Sequence, residues 1–267
     1  MPQQQVWAAL EGQSGRGTGK LELDSRSEQV LTIQDGSLTD ARTNLYTAIT
    51  AVEQDIKGVT VAFNRKIIRG TRAVKVSTMG FDAFDSVNVP CMGEIFADGM
   101  RLRFSSTHEI DPDQDTELAE NICPDVFLLK LIPGTKAEIF DMLAGLGYRG
   151  VVVEAFGAGG VHYIQRNILD KLKMLTESGI VVVVCSQCLY ERSDLSIYEV
   201  GQKTLECGVI SGEDMTTEAA VTKLMWALGR TSSPEEIAEM FATDYVGEIT
   251  LPHRAGITPS SGTLPSP

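Results

Sequence analysis

The amino-acid sequence predicts an α/β protein whose sheets are largely parallel and covered by helices. Strand-like and helical apolar patterns alternate through residues 126–184, and glycines mark the short loops between them. The strand-like segments are continuous apolar runs, which is typical of parallel strands with both faces buried. With 267 residues and 43% hydrophobic content, the chain is long enough to bury a sizeable core.

The first half of the chain shows one helical pattern followed by short strands. Leu45, Ile49 and Val52 have the spacing of one helix face, which predicts a helix over residues 40–54. Thr39 is the candidate N-cap of this helix. β-Branched and apolar runs predict strands over residues 59–63, 66–68, 73–77 and 99–104.

The second half carries longer elements with clear ends. Gly145 and Gly179 follow helical patterns and are expected to end them. Ser233 and Pro234 suit the N-cap and first turn of the last helix. Strands are predicted over residues 126–132, 150–155 and 180–185, and helices over residues 135–143, 163–177, 216–228 and 234–241.

These elements predict two Rossmann-like α/β domains, of which the N-terminal one is incomplete. An acidic stretch without apolar periodicity separates them, and both chain ends have the polar, Gly- and Ser-rich composition of disordered segments. The expected divisions are a poorly structured segment (1–38), the incomplete domain (39–107), a linker (108–122), the complete domain (123–250) and a disordered tail (251–267).

Charge and composition argue against several classes of partner. The formal net charge of −13 makes the average surface repel phosphate backbones and anionic lipids, so neither nucleic acid nor a membrane is expected as a partner. The longest apolar run, residues 180–185, is too short to span a bilayer. Five sparse cysteines and the lack of an apolar leader after Met1 favour a reduced, cytoplasmic protein.

One glycine-rich loop is a candidate binding element. The sequence Gly-Ala-Gly-Gly at 157–160 follows a predicted strand and precedes a predicted helix, so its N–H groups could hold a carboxylate or phosphate. The alternative is a tight turn that requires small residues, and spacing alone favours it. The sequence contains no P-loop, HExxH, GxSxG or helix-opening GxGxxG motif.

The cysteine and histidine patterns predict no metal site. Cys185 and Cys188 have CxxC spacing, which suits a redox pair or half a zinc site, but no second pair completes a tetrahedral set. Two thiols in the core or a loop are the favoured interpretation. His108, His162 and His253 are scattered, and each is expected to be satisfied or solvent-facing.

Lys75 is the strongest candidate for a chemical role. It lies among small and apolar residues in a predicted strand, where desolvation would lower the pKa of its amine and allow it to serve as a base. The alternative is an exposed charge on an edge strand, which periodicity alone favours. Arg69, Arg72 and Asp82 lie nearby in sequence and could form a surface ion-pair set.

Ordered segments of the chain resemble the bacterial L-asparaginases, most closely the cytoplasmic type I branch. The matching segments run in family order from about residue 39 to residue 248. In the first half, where the match is to the second half of the family's N-terminal domain, they are residues 39–45, 63–65, 69–75 and 80–86; in the second half they are residues 152–160, 186–188, 198–201 and 212–219.

The resemblance implies hydrolysis of L-asparagine to L-aspartate and ammonia, without a metal or organic cofactor. The family uses a nucleophilic threonine in a TGGT signature and a second threonine in a GTDT signature, which forms a Thr-Lys-Asp triad. Lys75 matches the triad lysine, which would take a proton from a threonine hydroxyl. Neither signature occurs in the 267 residues, so this truncated chain is expected to be inactive alone.

The resemblance also implies an oligomer. The loop beginning at Glu154 is similar to the segment with which a partner subunit closes the family's active site, so Glu154, Gly157, Ala158 and Gly159 would contact the partner's substrate, in a homodimer or homotetramer. Ala158 favours type I, since the secreted branch usually has asparagine there. Cys188 falls in a segment similar to part of a regulatory asparagine site, but Glu154 replaces a basic residue of that site, which argues against its working.

Two alternatives remain open. The chain could be a non-catalytic oligomerisation or binding module derived from the C-terminal domain. It could also be the asparaginase-like subunit of a tRNA-dependent amidotransferase, against which the acidic charge argues. Loss of the first strands of the N-terminal sheet would leave the strand at 59–63 with an unpaired neighbour and a hydrophobic face without its cover, so we expect low solubility or dependence on chaperones.

Overall fold

The computed structural model describes residues 40–103 apart from 55 and 57, residues 121–162 and residues 167–250. The predictions for residues 1–38, for most of the linker and for the 251–267 tail lie outside this part of the chain. The α/β class is confirmed, because helices and strands are mixed and the second half contains a parallel sheet. None of the described helices is long and apolar enough to cross a membrane.

The first half contains one helix and two antiparallel sheets. A four-stranded sheet has the order β1-β2-β5-β6, and β3 and β4 form a separate hairpin. The elements are α1 (Ala41–Val52), β1 (Thr60–Phe63), β2 (Lys66–Arg69), a 3-10 turn (Gly70–Arg72), β3 (Ala73–Lys75), β4 (Phe84–Ser86), β5 (Gly93–Phe96) and β6 (Gly99–Leu102).

This antiparallel pairing differs from the largely parallel sheets that we predicted for both domains. Only Asn64 and Arg65 separate β1 from β2, and both have positive φ angles, 46° and 62°. Two such residues form the tight turn of a hairpin, whereas a parallel pair needs a long crossover. The short connection therefore imposes the antiparallel arrangement.

The second half forms the predicted parallel sheet, with strand order β10-β9-β8-β7. Its two-residue strand β10 and its short helix α4 were not predicted. The elements are β7 (Val126–Lys130), α2 (Glu138–Gly145), β8 (Gly150–Ala155), α3 (Ile168–Glu177), β9 (Val181–Ser186), α4 (Glu199–Glu206), β10 (Ile210–Ser211), α5 (Thr217–Leu228) and α6 (Pro234–Phe241).

Both faces of β8 and β9 are buried, as the continuous apolar strands predicted, whereas Leu128 of β7 is 43% exposed. Val151 and Val153 of β8 pack with α2 and α3, whereas Val152 packs on the opposite face with α5 and α6. The alternation follows from the two-residue period of a strand. The largest core of the described residues therefore lies in the second half of the chain.

Several helix ends match their predicted signals and others do not. Ser233 accepts a hydrogen bond from the Glu236 N–H at 3.2 Å and caps α6, with Pro234 in its first turn. Helix α2 begins at Glu138 rather than at residue 135, because Thr135 forms a turn in which its hydroxyl accepts from the Ile132 N–H. The first described residue of the helix predicted at 163–177 is its N-cap, Asn167.

The apolar side chains of α1 are more exposed than its helical pattern predicts. Leu45, Ile49 and Val52 are 40 to 52% exposed. Strand β1 pairs with β2 on one side and has no partner on the other among the described strands. Among the described strands, the strand at 59–63 therefore has β2 as a neighbour and one unpaired edge.

Candidate functional site

The predicted binding residues of the second half meet at the carboxyl edge of the parallel sheet. Loops that leave neighbouring parallel strands lie together at this edge, where open α/β sheets bind ligands. The strand register pairs Glu154 of β8 with Cys185 of β9, and Ala155 with Ser186. The glycine loop and the segment 186–188 therefore leave the sheet side by side.

The glycine loop is a tight turn, so the favoured alternative of the sequence analysis is confirmed. The N–H groups of Gly159 and Gly160 both donate to the Phe156 carbonyl, at 3.1 and 2.7 Å. Gly157 and Gly159 have φ angles of +52° and +111°, which side chains other than hydrogen rarely allow. Because these two N–H groups bond within the turn, neither is available to cradle an anion.

The segment after β9 holds the glycine loop and the strand ends in place. The Ser186 hydroxyl donates to the Gly157 carbonyl at 2.6 Å. The Gln187 side-chain amide donates to the carbonyls of Leu131 and Glu154, at 2.6 and 3.0 Å. Gln187 therefore ties the ends of β7 and β8 together, a role that its position in the sequence did not reveal.

Glu154 is bonded within the chain rather than free at the surface. Its Oε1 accepts from the Thr217 hydroxyl at 2.8 Å, and its Oε2 lies 3.4 Å from Lys130 Nζ. Thr217 is the first residue of α5, and the partial positive charge of a helix N-terminus stabilises a nearby carboxylate. These contacts fix the direction of Glu154 at the carboxyl edge.

The two cysteines of the CxxC spacing have different surroundings, as the favoured interpretation predicted. Cys185 is buried, and this burial, with Glu154 and Glu218 nearby, raises the pKa of its thiol to about 12. Cys188 is an exposed loop residue whose N–H donates to Ser186 Oγ at 2.9 Å. Across the residues that the structure describes, no three His, Cys, Asp or Glu side chains are grouped to hold a metal ion.

Lys75 lies at the end of β3 and is exposed. The desolvated environment expected from its apolar neighbours is not present, because a three-residue hairpin strand is too short to bury it. Its Nζ lies 5.9 Å from the centroid of the Phe84 ring on the paired strand. The amine is therefore accessible to groups outside the hairpin.

The predicted surface ion-pair set around Lys75 does not form. Asp82 pairs instead with Lys66 at 2.9 Å. Arg69 donates to the Val246 carbonyl at 3.0 Å, and Arg72 is buried beside Asp214. Three residues that were expected to share one surface cluster therefore have three separate partners.

The Lys75 hairpin contacts the loop that follows β9. The Tyr190 hydroxyl donates to Asp85 of β4 at 2.6 Å, and this bond raises the pKa of Tyr190. Asn88 accepts from the Glu191 N–H at 2.7 Å and donates to the Glu191 carbonyl at 3.2 Å. These contacts bring the hairpin to the same edge of the molecule as the segment containing Cys188.

Comparison with known protein families matches both halves of the chain. Residues 34–109 match the family model described as "Asparaginase, N-terminal", and residues 125–241 match "Glutaminase/Asparaginase C-terminal domain". The two matches are consecutive and together cover most of the chain.

Individual relatives include asparaginases and amidotransferase subunits. An L-asparaginase from Thermococcus kodakarensis is 40% identical over 213 residues, covering 79% of this chain and 63% of the relative. A glutamyl-tRNA(Gln) amidotransferase subunit from Pyrococcus abyssi is 34% identical over 223 residues, covering 81% of this chain and 50% of the relative. The chain thus spans between half and two thirds of these proteins.

Solved structures give the same result. The thermostable L-asparaginase from Thermococcus kodakarensis superimposes with a TM-score of 0.75 at 38% identity, covering 81% of this chain and 64% of that one. L-asparaginase I from Vibrio cholerae superimposes with a TM-score of 0.74 at 28% identity, covering 81% and 65%.

Proposed function

Because this chain belongs to the glutaminase/asparaginase family, we propose that it is an amidohydrolase component that acts on L-asparagine and releases L-aspartate and ammonia. The observation that carries the proposal is the consecutive match of both family domains along one chain. The superposition on a thermostable L-asparaginase supports it. The substrate is a proposal, since the chain spans only part of the length of those relatives.

Lys75 is the proposed base. Its amine would take the proton of a threonine hydroxyl, whose oxygen then attacks the amide carbon, while the proton leaves with ammonia. Water would hydrolyse the resulting ester. The support for this role is the family resemblance of the segment around Lys75, because the exposed side chain lacks the desolvated surroundings that its apolar neighbours predicted. Since neither family threonine signature occurs in the 267 residues, we propose that these residues do not turn over asparagine alone.

Ammonia release and ligand binding test these proposals together. Purified chain is mixed with L-asparagine, L-glutamine or D-asparagine, and ammonia and the thermal midpoint Tm are measured. We expect L-asparagine to raise the Tm without ammonia release. Ammonia release above that of a heat-denatured sample would contradict the inactivity of the isolated chain. The absence of both ammonia release and a Tm shift would contradict the amidohydrolase proposal.

Two lysine variants test the role of the proposed base if turnover is seen. Lys75→Ala is expected to lower kcat at least a hundredfold, the usual contribution of a general base. Lys173→Ala is the matched control, because Lys173 is a surface lysine 3.8 Å from Glu177. Equal activity of the two variants would exclude Lys75 as the base.

Oligomerisation through the loop at Glu154, Gly157, Ala158 and Gly159 is a further part of the proposal. In the type I arrangement that the sequence resembles, these residues would complete the active site of a second copy in a homodimer or homotetramer. Light scattering after size exclusion measures the mass directly. A monomer at micromolar concentration would exclude this arrangement and also the alternative of an oligomerisation module.

The second candidate function is a subunit of a tRNA-dependent amidotransferase. The similarity to the Pyrococcus abyssi amidotransferase subunit favours it. The net charge of −13 argues against direct contact with tRNA, so a partner subunit would have to bind it. Under this function, asparagine turnover would depend on an added partner subunit and on charged tRNA, whereas an asparaginase needs neither.

A further inference from the structure

Arg72 is a fully buried arginine that connects the two halves of the chain. It lies in the 3-10 turn immediately before β3 and is 0% exposed. Its Nε donates to the Gly247 carbonyl at 2.8 Å, and its Nη2 donates to the Thr250 hydroxyl at 3.2 Å. Its Nη1 contacts both the carboxylate and the carbonyl of Asp214, at 3.0 and 2.8 Å.

Asp214 accepts hydrogen bonds from residues at both ends of the hairpin that carries Lys75. Its carbonyl accepts from Arg72, which precedes β3, and from the Asn88 side chain, which follows β4, each at 2.8 Å. Its carboxylate also accepts from the Thr250 N–H at 2.8 Å. The Val87 N–H donates to the Arg72 carbonyl at 2.9 Å and closes the hairpin at its base.

The hairpin itself is too small to hold a fixed direction. Each of its strands has three residues, and isolated two-stranded hairpins are marginal in water. Within the described residues its sheet contains only β3 and β4. The Phe84 ring lies 5.0 Å from that of Phe63 in β1, and Asp82 in the hairpin turn pairs with Lys66. The other contacts that hold the direction of Lys75 lie at the hairpin base and in the loop at residues 190–191.

We propose that Arg72 and Asp214 are positioning residues that orient Lys75 by anchoring its hairpin to the C-terminal domain. This inference rests on the proposed role of Lys75 in amide hydrolysis. An arginine suits the task because its planar fork donates in several fixed directions, whereas a lysine amine offers a single point charge. Arg72 uses three nitrogens on three different residues.

Hydrogen exchange measured by mass spectrometry tests the anchoring. Asp214→Asn and Arg72→Lys are expected to speed exchange in the peptide covering residues 73–87 at least tenfold, while peptides of β8 and β9 change less than twofold. Arg69→Lys is the matched control, since Arg69 donates to Val246 of the same C-terminal segment but does not contact Asp214. If Arg72→Lys fails to fold, Asp214→Asn supplies the result. A uniform increase across all peptides, no increase, or an equal effect of Arg69→Lys would overturn the anchoring.

The reactivity of Lys75 tests the orientation. The acetylation rate of Lys75, relative to that of Lys173, is measured as a function of pH with acetic anhydride and quantified by mass spectrometry. We expect the ratio of the two acetylation rates to change at least threefold across the pH series in Asp214→Asn. In Arg69→Lys the ratio should stay constant at each pH. An unchanged ratio would overturn the positioning role. Neither readout requires turnover. The proposed function is refuted separately if L-asparagine neither raises the Tm of the unmodified chain nor yields ammonia.

Discussion

At the scale of single residues, the surroundings of a side chain determine what it can do more than its spacing in the sequence does. Cys185 and Cys188 lie three residues apart, yet one is buried in the sheet and the other is in an exposed loop. A thiol with a pKa of about 12 is not ionised near neutral pH, so Cys185 cannot act as the nucleophile of a redox pair. Burial therefore removes the chemistry that the CxxC spacing suggests.

Gly159 provides a prediction at this scale. A Cβ at this position would lie 2.2 Å from Leu195 Cδ2, and the φ of +111° is strained for any other residue. Gly159→Ala is expected to lower the free energy of unfolding by about 2–3 kcal/mol, measured by urea titration. Gly145→Ala is the matched control, because it lies in α2 with no atom within 4 Å of the added Cβ.

The control should be neutral or raise the free energy of unfolding by up to about 1 kcal/mol, since alanine favours helix. Equal effects of the two glycine variants would show that the turn at residues 157–160 tolerates a side chain and that its tightness is not required.

At the scale of elements, α5 is attached to the segment that follows α6 by a buried ion pair. Lys223 Nζ lies 2.6 Å from Glu248 Oε1, and their side chains are 1% and 2% exposed. Lys223 also donates to the Thr243 carbonyl at 2.7 Å, and Glu248 accepts from the N–H groups of Tyr245 and Val246. Because burial lowers the pKa of Lys223, its charge depends on these partners.

Lys223→Met is expected to lower the free energy of unfolding by about 3–5 kcal/mol, because it leaves the Glu248 carboxylate buried without its cation. Lys173→Met is the control, because the exposed Lys173 pairs with Glu177 at 3.8 Å; this substitution should cost less than about 1 kcal/mol. Urea unfolding measures both. A loss in Lys223→Met no larger than in the control would mean that the buried pair adds nothing beyond a surface pair.

Elements whose signals are local were predicted well, whereas elements that depend on distant partners were not. Helix α6 has its cap, its proline and its apolar face within ten residues, and it lies over the predicted range. Strands β4 and β5 were missed, because each has only three or four residues and gains its backbone partners from β3, β2 and β6. Such strands exist only once the surrounding chain has folded.

At the scale of the whole molecule, the junction between the two halves makes stability depend on pH. Burial alone would raise the pKa of Asp214, but hydrogen bonds from Thr250 and the charge of Arg72 outweigh it and hold the pKa below its ordinary value. A lowered carboxyl pKa contributes stability above the unfolded-state value of about 3.9, and that contribution is lost as the pH falls through the folded value.

We therefore expect the urea midpoint to be constant from pH 7 to about pH 5 and to fall between about pH 4 and pH 2. Asp214→Asn should lower the midpoint at pH 7 and make the acid decline shallower. Some decline of the urea midpoint will remain, because the pKa of Glu248 is also lowered. Burial alone would raise that pKa, but the charge and hydrogen bond of Lys223 outweigh the burial. An acid decline of unchanged steepness in Asp214→Asn would show that Asp214 does not control it.

In the candidate site, too, some features were predicted from the sequence and others depend on the tertiary structure. The resemblance predicted site roles for Lys75 and the loop at Glu154 from ordered motifs. The structure brings the loop at Glu154 and Cys188 together because β8 and β9 are adjacent and parallel. Periodicity favoured an exposed Lys75, which the structure confirms, but neither motif nor spacing revealed that Arg72 is buried. Both facts depend on which strands pair and on which segments cover them.

From the amino-acid order alone follow the α/β class, most of the helices and strands in the second half and, through ordered motifs, the resemblance to the asparaginase family. The class and these elements follow because hydrophobic periodicity and capping act between residues a few positions apart. Folding in three dimensions imposes the antiparallel pairing of the first half, the partners of Glu154 and the junction at Arg72. The hydrogen bonds of that junction join residues 142 and 178 positions apart in the chain, a distance over which local periodicity carries no information.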